Sequence, residues 1–225
     1  MWAELRSVLE GLGLDFEVVF VDDGSQDRSA ETVRRLRDGD ARVELVSLKA
    51  NAGETAATDA GFKAARGRMV VTMDADLQND ADIPRLLARL DQWDAVCGWR
   101  VNRAAGDSLV RRLSSRLGNG VRNWVSDETI EDSGCTFRAF RRECVRGLTL
   151  YRGFHRFIPT LLRLRGYRVV ELPVGHRPRS FRRSKYGVMN RAFVTIVDVP
   201  AVRWMKSRRL GYEVAEDLGG EPRSE

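Results

Sequence analysis

Four short apolar runs, each closed by turn or polar residues and each separated from the next by a segment of helical spacing, constrain this chain's fold more than any other feature. Phe16-Glu17-Val18-Val19-Phe20-Val21 runs into Asp22-Asp23-Gly24-Ser25, and Val43–Leu48 makes a second run. Met69–Met73 is the third and Ala95–Gly98 the fourth. Their shortness and β-branched content mark them as buried strands. Between them the period changes. Apolar residues at 2, 5, 8, 9 and 12 form a helical stripe, and Ser25–Ser29 offers N-cap chemistry for a helix through about Leu36. Asn51-Ala52-Gly53 turns into a helix from about Glu54 to Ala65, and Pro84 stands in the first turn of a helix over Ile83–Leu90. Strands alternating with helices on short connections predict an α/β fold, a Rossmann-like and mostly parallel sheet flanked by helices.

In such sheets ligands bind beyond the carboxyl ends of the strands. Three polar clusters fall at those ends: Asp22-Asp23, Asn51 to Gly53, and Asp74-Ala75-Asp76-Leu77-Gln78. Side chains alternate along a strand, so Asp74, Asp76 and Gln78 would point the same way. Three converging oxygen donors suit a hard divalent cation holding a diphosphate. Asp-x-Asp alone also fits an ordinary polar strand end, so its meaning comes from the two clusters beside it.

Charge divides the chain. Arg100–Leu210 carries 25 Lys and Arg against 8 Asp and Glu, while the remainder carries 13 against 24. A basic half of this kind fits nucleic acid, anionic lipid headgroups, a phosphorylated substrate, or simply solvent. The acidic first half argues against nucleic acid. No apolar stretch approaches the ~20 residues of a membrane span. Cys97, Cys135 and Cys144 are odd in number, lack metal-type spacing and read as reduced cytosolic thiols.

After Arg100 the pattern changes. Leu109, Leu113, Leu117, Val121 and Trp124 form an apolar stripe among arginines. Thr136–Phe140 reads as a strand, Phe154–Leu164 as a helix, Tyr167–Leu172 as a strand and Arg177–Gly187 as a basic loop. Phe193, Ile196, Val197, Ala201, Trp204 and Met205 share one helical face, interrupted by Pro200 and flanked by Arg203, Lys206, Arg208 and Arg209. The tail after Glu213 is acidic and reads as frayed.

Taken in order, Asp22-Asp23-Gly24-Ser25, Asn51-x-Gly53 and Asp74-Ala75-Asp76-Leu77-Gln78 resemble the inverting family 2 glycosyltransferases of GT-A fold. Asp132-Ser133-Gly134-Cys135 with Phe137-Arg138, His155-Arg156-Phe157-Ile158-Pro159, and Ser184-Lys185-Tyr186-Gly187 narrow the resemblance to dolichyl- and undecaprenyl-phosphate sugar transferases. It covers roughly residues 15–210. The division it implies is a GT-A domain over 1–190, with a nucleotide-sugar half of about 1–100 and an acceptor half of about 101–190. An amphipathic juxtamembrane helix and polar tail follow over 191–225.

The resemblance implies a nucleotide-sugar donor, UDP- or GDP-linked, bound by Asp22, Asp23, Asn51, Gly53 and Asp74. Mg²⁺ or Mn²⁺ would be held by Asp74, Asp76 and Gln78. A polyprenyl phosphate acceptor would meet Arg138, Arg156, Arg177, Arg179 and Lys185, with Asp132 orienting the sugar or assisting a proton; Asp132, Arg138, Arg156 and Lys185 form the expected catalytic set. Because a phosphate acceptor is already an anion, with a second pKa near 6, one in-line displacement needs no strong base. His155 has two readings, a bond to phosphate or a structural role, and Glu54 stands where relatives often carry Lys or Gln and receives none. The two amphipathic stripes would lie on a membrane surface or pack on the domain; the first places the enzyme at the cytoplasmic face of the plasma membrane.

One departure bears on the fold. Members of the family usually begin with a strand of the type Val-Val-x-Pro-x-x-Asn-Glu, and here Met1 stands in what reads as the following helix. Unpaired backbone is then expected in the middle of the sheet. Three rival readings stay open: a non-catalytic remnant, a basic module for nucleic acid or anionic lipid, and a Rossmann-type nucleotide enzyme. The last lacks a Gly-x-Gly-x-x-Gly after the first strand.

Overall fold

A computed structural model describes residues 2–75, 80–101, 132, 134–175, 198 and 200–209 of the 225. The first half builds as the alternation predicts. Helix α1 (Trp2–Glu10) leads to strand β1 (Val18–Asp22), α2 (Ser29–Gly39) to β2 (Val43–Ser47), and α3 (Glu54–Ala64) to β3 (Met69–Thr72). A 3₁₀ turn at Asp80–Asp82, α4 (Ile83–Arg89) and β4 (Ala95–Arg100) follow. In the second half come β5 (Arg138–Arg141), the short α5 (Arg142–Val145), a 3₁₀ turn Phe154–Phe157 continuing into α6 (Ile158–Leu164), and β6 (Val169–Val174).

The expectation of a mostly parallel sheet is met by every described strand but one. β1 pairs with β2 in parallel and β4 with β6 in parallel, but β5 lies antiparallel between β3 and β4. Strand period 2 sorts the side chains of this sheet onto two cores. Ala95, Cys97, Phe140 and Val70 face a core shared with Phe62, Phe154, Ile158 and Leu162, whereas Val96, Ala139 and Val174 face one shared with Leu5, Ile83 and Leu86. Phe62 of α3 meets Phe140 of β5 edge to face, centroids 5.6 Å apart, which ties the first half to the second.

Among the described residues β1 and β3 do not pair, and the strands form two sheets, β1-β2 and β3-β5-β4-β6. The hydrogen bonds show which backbone groups face the gap. Val18 N–H donates to the Arg42 carbonyl and Leu48 N–H to the Asp22 carbonyl, each at 2.8 Å. Val18, Phe20 and Asp22 therefore turn toward β2, and Val19 and Val21 turn away. Arg142 N–H donates to the Arg68 carbonyl at 2.8 Å, so Val70 and Thr72 face β5 while Met69 and Val71 face the other way. An apolar cavity of about 730 Å³ lies between these two edges, lined by Val19, Val21, Gly61, Phe62, Val71 and Leu9.

Residues 200–207 are helical. Val202 is buried, and Ala201 and Met205 pack with it against the core of Phe62 and Leu162, while Trp204 is 63% exposed. The stripe over 109–124 and residues 191–197 lie outside the described residues.

Candidate functional site

The carboxyl end of β1 carries Asp22 and Asp23, and the two carboxylates face different tasks. Asp22 accepts from Ser25 N–H at 3.2 Å and from the Ser47 hydroxyl at 3.1 Å. Bonding from Ser25, above all, holds its carboxyl below the usual range, so it is an anion at neutral pH. It lines a polar cavity of about 700 Å³ together with Gln26, Arg28, Arg34, Lys49 and Asn51, at the ends of β1 and β2. Asp23 instead organises the loop before α3. Its oxygens accept from Ala52 N–H at 2.7 Å, Gly53 N–H at 2.9 Å and Asn51 Nδ2 at 2.9 Å.

Two glycines make this packing possible. A Cβ on Gly24 would sit 2.7 Å from backbone atoms of Ala50 and Asn51, and its φ is +69°. Gly53, with φ +89°, turns the chain into α3 without a side-chain cap.

Asp74 stands exposed just beyond the carboxyl end of β3. Asp76 and Gln78, its expected co-ligands, lie outside the described residues, as do Arg177, Arg179 and Lys185. Among the described residues no group of three His, Cys, Asp or Glu gathers to hold a metal.

Asp132 is 7% exposed and makes a two-point pair with Arg100 at the end of β4. Arg100 Nε and Nη2 donate to its two oxygens at 2.6 and 3.0 Å, and Gly134 N–H adds a bond at 3.2 Å. Burial disfavours the Arg100 charge, but the Asp132 carboxylate outweighs it and Asp74 adds to the same field, so the guanidinium's pKa rises. Sequence reasoning missed Arg100; the one signal was an arginine closing the fourth apolar run.

Arg138 is 4% exposed and donates from Nη1 to the His155 carbonyl at 2.7 Å. His155 meets the Thr55 hydroxyl at 2.8 Å through Nδ1, and its Nε2 lies 3.4 Å from a Glu54 oxygen. Burial first, then the charges of Arg156 and Arg138, push the imidazole pKa down to about 4. Thr55 was also missed, since a threonine in a first helical turn carries no sequence signal of its own. Cys97, Cys135 and Cys144 are buried free thiols, and burial pushes Cys97 and Cys144 up to about 11, which suits packing rather than reactivity.

The alternation of strands and helices, with carboxylates just past β1 and β3, defines an α/β protein. The chain belongs to glycosyl transferase family 2, whose family model matches residues 3–149. Its relatives include the undecaprenyl-phosphate 4-deoxy-4-formamido-L-arabinose transferases of Edwardsiella ictaluri (strain 93-146), 40% identical over 183 residues, and of Salmonella paratyphi B, 38% identical. These alignments take in 80% of this chain but only 56% and 55% of the relatives, so the chain spans about half their length. Among solved structures, glucosyl-3-phosphoglycerate synthase of Mycobacterium tuberculosis with Mn²⁺, UDP and phosphoglyceric acid superposes with a TM-score of 0.60 at 18% identity, over 87% of this chain and 69% of that one. A mannosyltransferase of Pyrobaculum calidifontis in complex with GDP-Man and Mn²⁺ gives 0.55 at 19% identity, over 94% and 62%. The shared architecture is the GT-A fold.

Proposed function

We propose that this chain transfers a sugar from a nucleotide-sugar donor to a polyprenyl phosphate, with inversion in a single displacement. The observation that carries the reading is an ionised Asp22 beside a polar cavity at the ends of β1 and β2, next to a loop that Asp23 holds in place. The relatives named as undecaprenyl-phosphate transferases support the acceptor. Neighbours solved with UDP or GDP-Man and Mn²⁺ support the donor class and a divalent ion.

The donor set fits a hard cation. Mg²⁺ and Mn²⁺ take oxygen ligands, and such ions are held by one or two carboxylates plus substrate phosphates rather than by closed protein cages. Asp74, with Asp76 and Gln78 from the same segment, would supply the protein's share. When bound, the ion offsets charge on the departing nucleoside diphosphate.

The protein's own groups do the rest. Asp22 would accept from the donor's base or ribose, while Asp23 keeps the Asn51–Gly53 backbone where a nucleotide can approach it. Arg156, with Arg177, Arg179 and Lys185, would gather the acceptor phosphate, since guanidinium forks match phosphate oxygens. Arg138 lends positive charge from beneath, and Asp132, fixed by Arg100, orients the sugar. Catalysis then rests on positioning and charge stabilisation.

The test incubates the protein with Mn²⁺, undecaprenyl phosphate and a panel of UDP- and GDP-sugars and measures lipid-linked sugar. Product is expected with one donor, falling at least about 100-fold in Asp74→Ala and Asp76→Ala, the scale of a lost electrostatic stabiliser. Turnover left intact by both substitutions, or no donor consumed, overturns the proposal.

A further inference from the structure

The start of α3, just after the Asn51–Gly53 loop, and the turn that carries Arg156 meet at His155. His155 lies in the 3₁₀ turn Phe154–Phe157, and both of its faces are occupied. Its carbonyl accepts from Arg138 Nη1 at 2.7 Å, and its ring reaches the first turn of α3, directly after Gly53. There Thr55, 7% exposed, accepts from Gly153 N–H at 3.0 Å through the same hydroxyl oxygen that meets His155 Nδ1 at 2.8 Å. A carboxylate can only accept, and Glu54 Oε2 lies 3.4 Å from Nε2, so the ring proton belongs on Nε2. That leaves Nδ1 bare to take the Thr55 hydroxyl proton, while the Gly153 N–H uses one of that oxygen's two lone pairs.

We propose that His155, as the Nε2–H tautomer, is a positioning residue that clasps the start of α3 to the acceptor-side turn through Thr55 and Glu54. The clasp holds the Asn51–Gly53 loop and Arg138 in fixed relation, so the two substrates would meet in register. Its bearing on turnover rests on the transferase reading above; its structural content does not. The charged groups around the ring are consistent with a neutral imidazole: Arg138 from β5 and Arg156 from its own turn disfavour a second proton, and Glu54 is half exposed and screened by solvent.

Two substitutions separate the ring's nitrogens. In His155→Asn the amide oxygen takes the place of Nδ1 and keeps the Thr55 bond; in His155→Gln the amide reaches the place of Nε2 and loses it. His155→Asn is expected to keep donor KM and kcat within about threefold. His155→Gln and Thr55→Val are expected to raise donor KM about tenfold with kcat little changed. Equal behaviour of the two His155 variants, or a fall in kcat alone, overturns the clasp. Independently of turnover, amide exchange at Ala52–Glu54 should accelerate about tenfold in His155→Gln and stay near wild type in His155→Asn. The sequence holds two histidines, so ¹⁵N spectra of His176→Gln report His155 alone. A ring carrying its proton on Nδ1, or exchange unchanged in every variant, overturns the proposal even if no sugar donor is ever found; clasp behaviour without turnover overturns only the transferase reading.

Discussion

Asp23 and Asp132 are acidic residues that the sequence assigns to substrates, and in the folded chain both carboxylates bond the protein itself. Asp23 serves the loop of Asn51 to Gly53, 28 to 30 positions away, and Asp132 serves Arg100, 32 positions away. Their spacing within motifs is visible in the sequence because motif neighbours are local. Their partners are not, because side-chain pairs across loops follow from the fold. His155 shows the same limit, and its environment makes a measurable difference. Its ordinary pKa of 6.5 falls to about 4 in the folded protein, chiefly through burial. The unfolded chain therefore takes up the proton first. The contribution to stability is complete above pH 6.5 and is lost as pH falls toward 4, with an upper bound of about 3 kcal/mol. Urea midpoints at pH 7 and pH 4.5 check this: the wild type should lose distinctly more stability between them than His155→Asn. Asp22 and Asp94, whose pKa values are lowered, weaken the fold only at more acid pH, so they leave this window clear.

At the scale of elements, strands and helices are legible in the sequence, and the mostly parallel course holds for every described strand but β5. The helix expected over Ile83–Leu90 spans Ile83–Arg89, and the strand expected over Ala95–Gly98 runs on to Arg100. Apolar period and Pro84 are local signals that survive folding. The antiparallel course of β5 is not local, since it depends on how the chain returns to the sheet. The helix expected over Phe154–Leu164 begins as a 3₁₀ turn after Gly153, whose φ is +90°. Strand β4 also anchors Asp132 through Arg100, whose side chain is 15% exposed against 6% for Asp132. Arg100→Ala would leave a buried carboxylate without its counter-charge, and a loss of about 3 kcal/mol in urea unfolding is expected. Arg100→Lys should recover part of that loss but not the two-point geometry. An unchanged midpoint in Arg100→Ala would show that water replaces the guanidinium.

The whole molecule sets an acidic half against a basic one, and the helix at 200–207 divides its own residues in the same spirit. Val202, Ala201 and Met205 pack on the core, while Trp204, Arg203, Arg208 and Arg209 remain exposed. Among the described residues no helix is long and apolar enough to cross a membrane. An exposed tryptophan among arginines suits the headgroup layer of an anionic bilayer. Liposomes rich in anionic lipid should pellet the protein at low salt, and Trp204→Ala with Arg208→Ala and Arg209→Ala should reduce that several-fold. Equal pelleting would remove this helix from any membrane role.

The gap between β1 and β3 has a mechanical consequence. Ladder hydrogen bonds resist sliding along a sheet, whereas side-chain contacts yield to it. Among the described residues, the line from Val19 and Val21 to Met69 and Val71 is thus a seam, crossed by packing such as Phe62 on Phe140 rather than by backbone bonds. Asp22 lies on one side of that seam and Asp74 on the other. If the proposed transferase reading holds and a nucleoside diphosphate meets both carboxylates, binding it would also stitch the two sheets together.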